Sequence, residues 1–181
     1  MDNNPVWSEQ MPAVQFRVAR PTHQIEKIKQ FYHEGLGLPV IGSFQQHQGY
    51  DGVMFGLPDS AYHLEFTQHE HGVPVPPPSE DNLLVFYIPD ADKRNAIAQR
   101  LQAMGYPAVK AENPYWDVNG ITICDPDGWR IVLQNTSGLL NTKGKSGYTD
   151  QVLRKMVSRH MLTKAAYPGG DYNEQQSNKP G

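Results

Sequence analysis

Two apolar runs, Ile121-Thr122-Ile123-Cys124 and Trp129-Arg130-Ile131-Val132-Leu133, flank the segment Asp125-Pro126-Asp127-Gly128. No other stretch restricts the fold of this chain as strongly. Proline presets φ, an aspartate side chain accepts from the backbone just ahead of it, and glycine enters positive φ without a steric penalty. A turn of this composition between two short strand-like runs predicts a β-hairpin.

Upstream, strand and helix signals occur twice in the same order. Val14-Gln15-Phe16-Arg17-Val18 alternates apolar and polar and reads as a strand. Arg20-Pro21-Thr22-His23 breaks it, with Thr22 placed to cap a helix. Ile25, Ile28, Phe31 and Tyr32 make the apolar stripe of that helix, and Gly35 or Gly37 ends it. Strands are expected over 40–44, 52–56 and 63–67, with Gly49-Tyr50-Asp51-Gly52 and Leu57-Pro58-Asp59-Ser60 as turns. Pro76-Pro77-Pro78 forbids a helix and favours an extended linker. Beyond it, the continuous run 83–88 suggests a strand buried on both faces. Asp90 or Asp92 can cap a second helix with Ala96, Ile97, Leu101 and Met104 as its stripe and Gly105 at its end, before strands at 108–110, 121–124 and 129–134.

The expected organisation is therefore an arm (1–12), a βαβββ module (13–67), a Pro-rich linker (68–82), a second βαβββ module (83–135) and an extension (136–181). Val152, Leu153, Met156, Val157, His160 and Met161 fall at helical spacing and predict an amphipathic helix over residues 149–164, followed by a polar, Gly-rich tail.

The helix end Phe31-Tyr32-His33-Glu34-Gly35-Leu36-Gly37-Leu38, together with the later Asp-Pro-Asp-Gly hairpin, resembles the vicinal-oxygen-chelate superfamily. That group contains glyoxalase I, bleomycin-resistance proteins and extradiol dioxygenases. The resemblance spans residues 13–135 and implies an α+β fold, with two βαβββ modules forming a curled mixed sheet around a cavity. It also implies a divalent metal held by His, Glu or Gln on the first, fourth, fifth and eighth strands. Matching those strands gives Ala13, Glu65, Leu83 and Val132, of which only Glu65 can ligate. A catalytic metal usually takes three protein ligands, so no resident cofactor is expected. The alternative is a divalent metal on a different set, His63, Glu65, His69 and His71.

Alternation places Gln15 and Arg17 with the first strand's cavity face, His63 with Glu65, Tyr87 with Leu83, and Arg130 and Gln134 with Val132. Charged groups there must be paired or wet, so an Arg17–Glu65 or Arg130–Glu65 ion pair is one reading. The other is a pocket whose arginines orient a small polar or anionic ligand. Tyr115 and Trp116, on the loop before the seventh strand, are placed to stack on a flat molecule.

The composition excludes several classes. There is no apolar run of about 18 residues, hence no membrane span. The start of the chain shows no basic segment leading into an apolar one, so no secretory signal is expected. The single cysteine, Cys124, cannot form an internal disulfide and suits a buried strand position in a cytoplasmic protein. From Asn141 onward seven Lys and Arg face three Asp and Glu, whereas the earlier part holds nine against sixteen. An acidic body argues against nucleic acid as a partner. The leading reading is a metal-free, bleomycin-resistance-like homodimer that binds a small organic molecule. The alternative is an enzyme of lyase, isomerase or dioxygenase type, with Glu65 as base and His63 as its partner.

Overall fold

Alternating side chains sort the described residues into two four-stranded sheets, each with one face against helices. A computed structural model describes residues 13, 15–56, 62–72, 75 and 78–138. The first module runs β1 (Phe16–Pro21), α1 (Ile25–Lys29), a π-helical turn (Gln30–Gly35), β2 (Val40–His47), β3 (Tyr50–Gly56) and β4 (Tyr62–His69). The second runs β5 (Leu83–Tyr87), α2 (Ala91–Ala103), β6 (Ala108–Val109), a 3-10 turn (Pro114–Asp117), β7 (Gly120–Cys124) and β8 (Arg130–Gln134). The strand orders are β1-β4-β3-β2 and β5-β8-β7-β6. In each sheet the first strand lies parallel to the last, and the other pairs are antiparallel. A parallel pair cannot be joined by a tight turn, and the intervening helix makes the crossover. The expected α+β fold of two βαβββ modules is thus observed.

Both sheets turn the same kind of face to the core. Val53, Phe55, Leu64 and Phe66 from the first, and Ile123, Ile131 and Leu133 from the second, join Ile25, Ile28, Phe31, Tyr32 and Leu101 in one buried cluster. Burying a side chain of this size contributes roughly 1.5–3 kcal/mol. The π turn keeps Phe31, Tyr32 and Gly35 all on the buried side. Phe31 meets Tyr106 of the second module edge-on, with ring centroids 4.9 Å apart. Gly35 touches Leu101 so closely that a Cβ there would collide with it, and Arg100 Nε donates to the Gly35 carbonyl at 2.8 Å. The modules therefore join through their helices.

Three local expectations are corrected. Thr22 is not the helix cap: the N-cap position is Gln24, without a side-chain cap bond. Instead Thr22 Oγ1 accepts from the Gln24 N–H at 3.1 Å, and Gln68 Oε1 accepts from the Ile25 N–H at 2.9 Å. Strand β5 is not buried on both faces. Leu84 and Phe86 pack on the core, while Tyr87 on the opposite face is 46% exposed. Ala13 lies ahead of β1. Asp90 does cap α2, accepting from the Asp92 and Lys93 N–H groups at 3.0 and 3.1 Å. The helix expected at 149–164 lies outside the described residues. Among the described residues, no helix is long and apolar enough to cross a membrane.

Candidate functional site

Because Leu64 and Phe66 point into the core, His63, Glu65 and Thr67 of β4 point to the other, outer face of the first sheet. Arg17 of β1 lies directly across from His63 in the parallel register. Its Nε donates to His63 Nε2 at 2.9 Å, and its Nη1 donates to Glu65 Oε2 at 2.9 Å. His63 is 4% and Glu65 7% exposed, whereas the Arg17 side chain is 48% exposed. The guanidinium thus lies between two buried groups and solvent. Since His63 Nε2 accepts, Nδ1 carries the ring proton, and Nδ1 is buried without a hydrogen-bond partner among the described residues. On the adjoining strand β3, Gly52, paired with Thr67 of β4, lies beneath the Phe44 ring, which occupies the space a Cβ would need. That glycine leaves room for an aromatic side chain on the sheet face that carries His63 and Glu65.

The second sheet has an outer face of a different kind. Arg130, Val132 and Gln134 of β8 are flanked by Leu83, Val85 and Tyr87 of β5 and by Cys124, Thr122 and Gly120 of β7. Arg130 does not reach Glu65. It pairs with Glu80 at 3.0 Å and donates to the Lys110 carbonyl at 3.3 Å. Gln134 Nε2 donates to the Val118 carbonyl at 3.0 Å, and the Trp116 carbonyl lies over Gly120. The loop carrying Tyr115 and Trp116 thus arches over the Gln134 end of this face. Gln134 Oε1 and Thr122 Oγ1 are buried without partners among the described residues. Burial pushes the Cys124 thiol pKa up, away from the reactive thiolate.

The two sequence signatures meet in space. Tyr32 Oη donates to Asp125 Oδ2 at 2.8 Å, tying the first module's helix to the second module's hairpin. Asp125 Oδ1 also accepts from the Asp127 and Trp129 N–H groups at 2.9 and 2.8 Å. Burial, partly opposed by these donors, pushes the Asp125 carboxyl up to about 6. The Arg20 guanidinium lies 3.7 Å from the centre of the Trp129 ring. Burial lowers the pKa of Arg20, and among the described residues its Nη1 has no hydrogen-bond partner. Sequence reasoning missed this junction. Asp125 was legible only as a turn residue, and nothing local marks Tyr32 as its partner.

The expected site residues therefore divide. Arg17, His63 and Glu65 are brought together, with Gln15 exposed just ahead of β1 on the same alternation. Tyr87, Arg130 and Gln134 share the second outer face, with Tyr115 and Trp116 on its covering loop, ring centroids 4.9 Å apart. On the first strand Arg17 lies across from His63, and its side chain reaches Glu65.

The donor set does not fit a metal ion. Two atoms that would ligate, His63 Nε2 and Glu65 Oε2, both accept from Arg17. His69 lies four residues beyond Glu65, roughly 13 Å along the strand, edge-on to Tyr50 and tilted against His71. Among the described residues, no three His, Cys, Asp or Glu side chains gather where they could share a metal.

Comparison with known proteins agrees with this architecture. Residues 16–67 match the family profile of the YycE-like N-terminal domain, and residues 81–135 that of the YycE-like C-terminal domain. An uncharacterized YycE protein of Bacillus subtilis (strain 168) is 58% identical over 127 residues, covering 70% of this chain and 91% of that protein. A crystal structure of a Bacillus subtilis YycE protein of unknown function superposes with a TM-score of 0.70 at 55% identity, covering 76% of this chain and 98% of that one. The trypanothione-dependent glyoxalase I of Leishmania major shares the fold at 15% identity and a TM-score of 0.53, covering 83% of this chain and 96% of its own. The two modules, their shared core and these matches together show that the chain belongs to the YycE-like family, within the glyoxalase and bleomycin-resistance (vicinal-oxygen-chelate) superfamily.

Proposed function

We propose that the outer face of the first module binds a small organic molecule at Arg17, His63 and Glu65. The observation that carries this reading is the hydrogen-bonded set itself. Two buried polar groups are held by a half-exposed guanidinium on a sheet face away from the core. An ion pair serving only stability has no need of a buried imidazole N–H without a partner. The Phe44 ring over Gly52 supplies apolar surface nearby. The test is a thermal-shift screen of small carbonyl, aromatic and antibiotic compounds, with hits measured by calorimetry on wild type and Glu65→Gln. Losing a charged hydrogen-bond partner costs about 1.5–3 kcal/mol, so affinity falls at least about ten-fold. Absence of saturable binding, or hits indifferent to the substitution, refutes the reading.

A second reading is catalytic, and the buried Glu65 carboxylate favours it. In this reading Glu65 moves a proton on a carbonyl substrate in a lyase or isomerase reaction. Arg17, rather than His63, is its hydrogen-bonded partner, so the positioning role passes to the guanidinium. A dioxygenase needs a redox metal, and this donor set does not fit one. Turnover that survives Glu65→Gln would end the catalytic reading. We also propose a homodimer, supported by the half-exposed Val40, Ile41 and Tyr62 on the first module's strands. Light scattering that gives a monomer mass refutes it.

A further inference from the structure

We infer that Arg17 is the resident cation of this site: its guanidinium stands where the fold's metal would stand, and it engages the ligand in the metal's place. The ligand part of this inference rests on the binding reading above. The cation part rests on the resemblance, which puts Glu65 among the metal ligands, and on the two Arg17 hydrogen bonds.

A metal at this position would need lone pairs from Glu65 and from a neighbouring imidazole. In this chain Glu65 Oε2 and His63 Nε2 already accept from one guanidinium, each at 2.9 Å. Arginine cannot give up its proton at any ordinary pH, so it does not become a ligand itself. It is held by strand register, since Arg17 and His63 are directly paired between β1 and β4. Both counter-groups are buried, so the charge of Glu65 is neutralised from within the protein.

The same geometry defines what the site asks of a ligand. Arg17 Nη2, which takes part in neither of these contacts and belongs to a half-exposed side chain, is the donor. Glu65 is an acceptor. Arg17 and Glu65 cancel in charge. The complementary molecule is neutral, accepts through a carbonyl oxygen and donates through a neighbouring hydroxyl. A doubly charged anion such as a phosphonate meets the Glu65 carboxylate and is disfavoured.

The experiment is a cobalt(II) titration of the untagged, metal-stripped full chain, followed by visible absorption. Wild type is expected to give no saturable band. Arg17→His supplies a third ligand beside His63 and Glu65, and one equivalent of cobalt should bind with a strong visible band. Arg17→His combined with Glu65→Gln should lose that band. Two results overturn the inference: a stoichiometric band in wild type that Glu65→Gln removes, or a folded Arg17→His protein without a band. If Arg17→His does not fold, nitrogen-15 NMR of His63 in wild type decides. A protonated Nδ1 and an accepting Nε2, unchanged by cobalt, support the inference, and loss of the His63 signals at one equivalent refutes it. For the ligand class, amide-shift titrations with hydroxyacetone and methylphosphonate should show at least ten-fold tighter binding of hydroxyacetone, and the reverse order refutes that class. A failed compound screen would leave the cobalt result standing, so the two claims fail separately.

Discussion

Tyr32→Phe removes one hydroxyl from the junction of the two modules, and its effect should depend on pH. The Tyr32 phenol is fully buried and donates to Asp125 Oδ2 at 2.8 Å. Burial pushes the Tyr32 pKa well up, so it remains a donor across the working range. Asp125 is 4% exposed, and burial raises its carboxyl to about 6 from the ordinary 3.8. A folded-state pKa above the unfolded one means that the fold binds the proton more tightly. This contribution is fully present below pH 3.8 and is lost as pH rises through about 6. A shift of about two units corresponds to roughly 3 kcal/mol. At pH 8 the hydroxyl donates to a carboxylate, a bond of about 2 kcal/mol, whereas at pH 4.5 it donates to a neutral acid, a bond of about 1 kcal/mol. Tyr32→Phe should therefore cost about 2 kcal/mol at pH 8 and about 1 kcal/mol at pH 4.5. Urea unfolding of both proteins at both pH values, followed by tryptophan fluorescence, measures this. Trp129 lies within the junction and reports on it. An equal cost at both values, or a larger one at pH 4.5, refutes the assignment of Asp125 as the titrating group.

Two further substitutions test the packing. Gly35→Ala drives a Cβ into Leu101 and should cost about 1–3 kcal/mol as an overpacked helix contact, seen as a lower melting temperature. Asp90→Ala removes the acceptor for two N–H groups at the start of α2 and should lower the urea midpoint of unfolding.

Within the described residues the strands and helices were legible because their period is local. Alternation in Tyr62–His69 already separates His63 and Glu65 from Leu64 and Phe66. The partnering of charges was less legible. Arg17 and Arg130 were equal candidates for Glu65, and the outcome depends on which strand β4 adopts as its parallel neighbour. Arg130 sits on β8 of the other sheet and finds Glu80 of the linker instead. The resemblance matches Ala13 to the first strand's metal-ligand position; β1 begins at Phe16, and Arg17, on the same alternation as Ala13, is the side chain that reaches Glu65. The burial of Asp125 was hidden for a similar reason. An Asp-Pro-Asp-Gly turn is ordinarily solvent-facing, and only the packing of one module's helix against the other's hairpin closes it.

The most direct test of the central claim is amide chemical-shift mapping of the isotope-labelled protein with the best compound from the screen. Saturable shifts centred on Arg17, His63 and Glu65, with Phe44 and Gly52 beside them, are the predicted result. Shifts confined to the second sheet around Thr122 and Gln134, or to the groove of Ala98, Gln99 and Ala108 between α2 and its sheet, would contradict it.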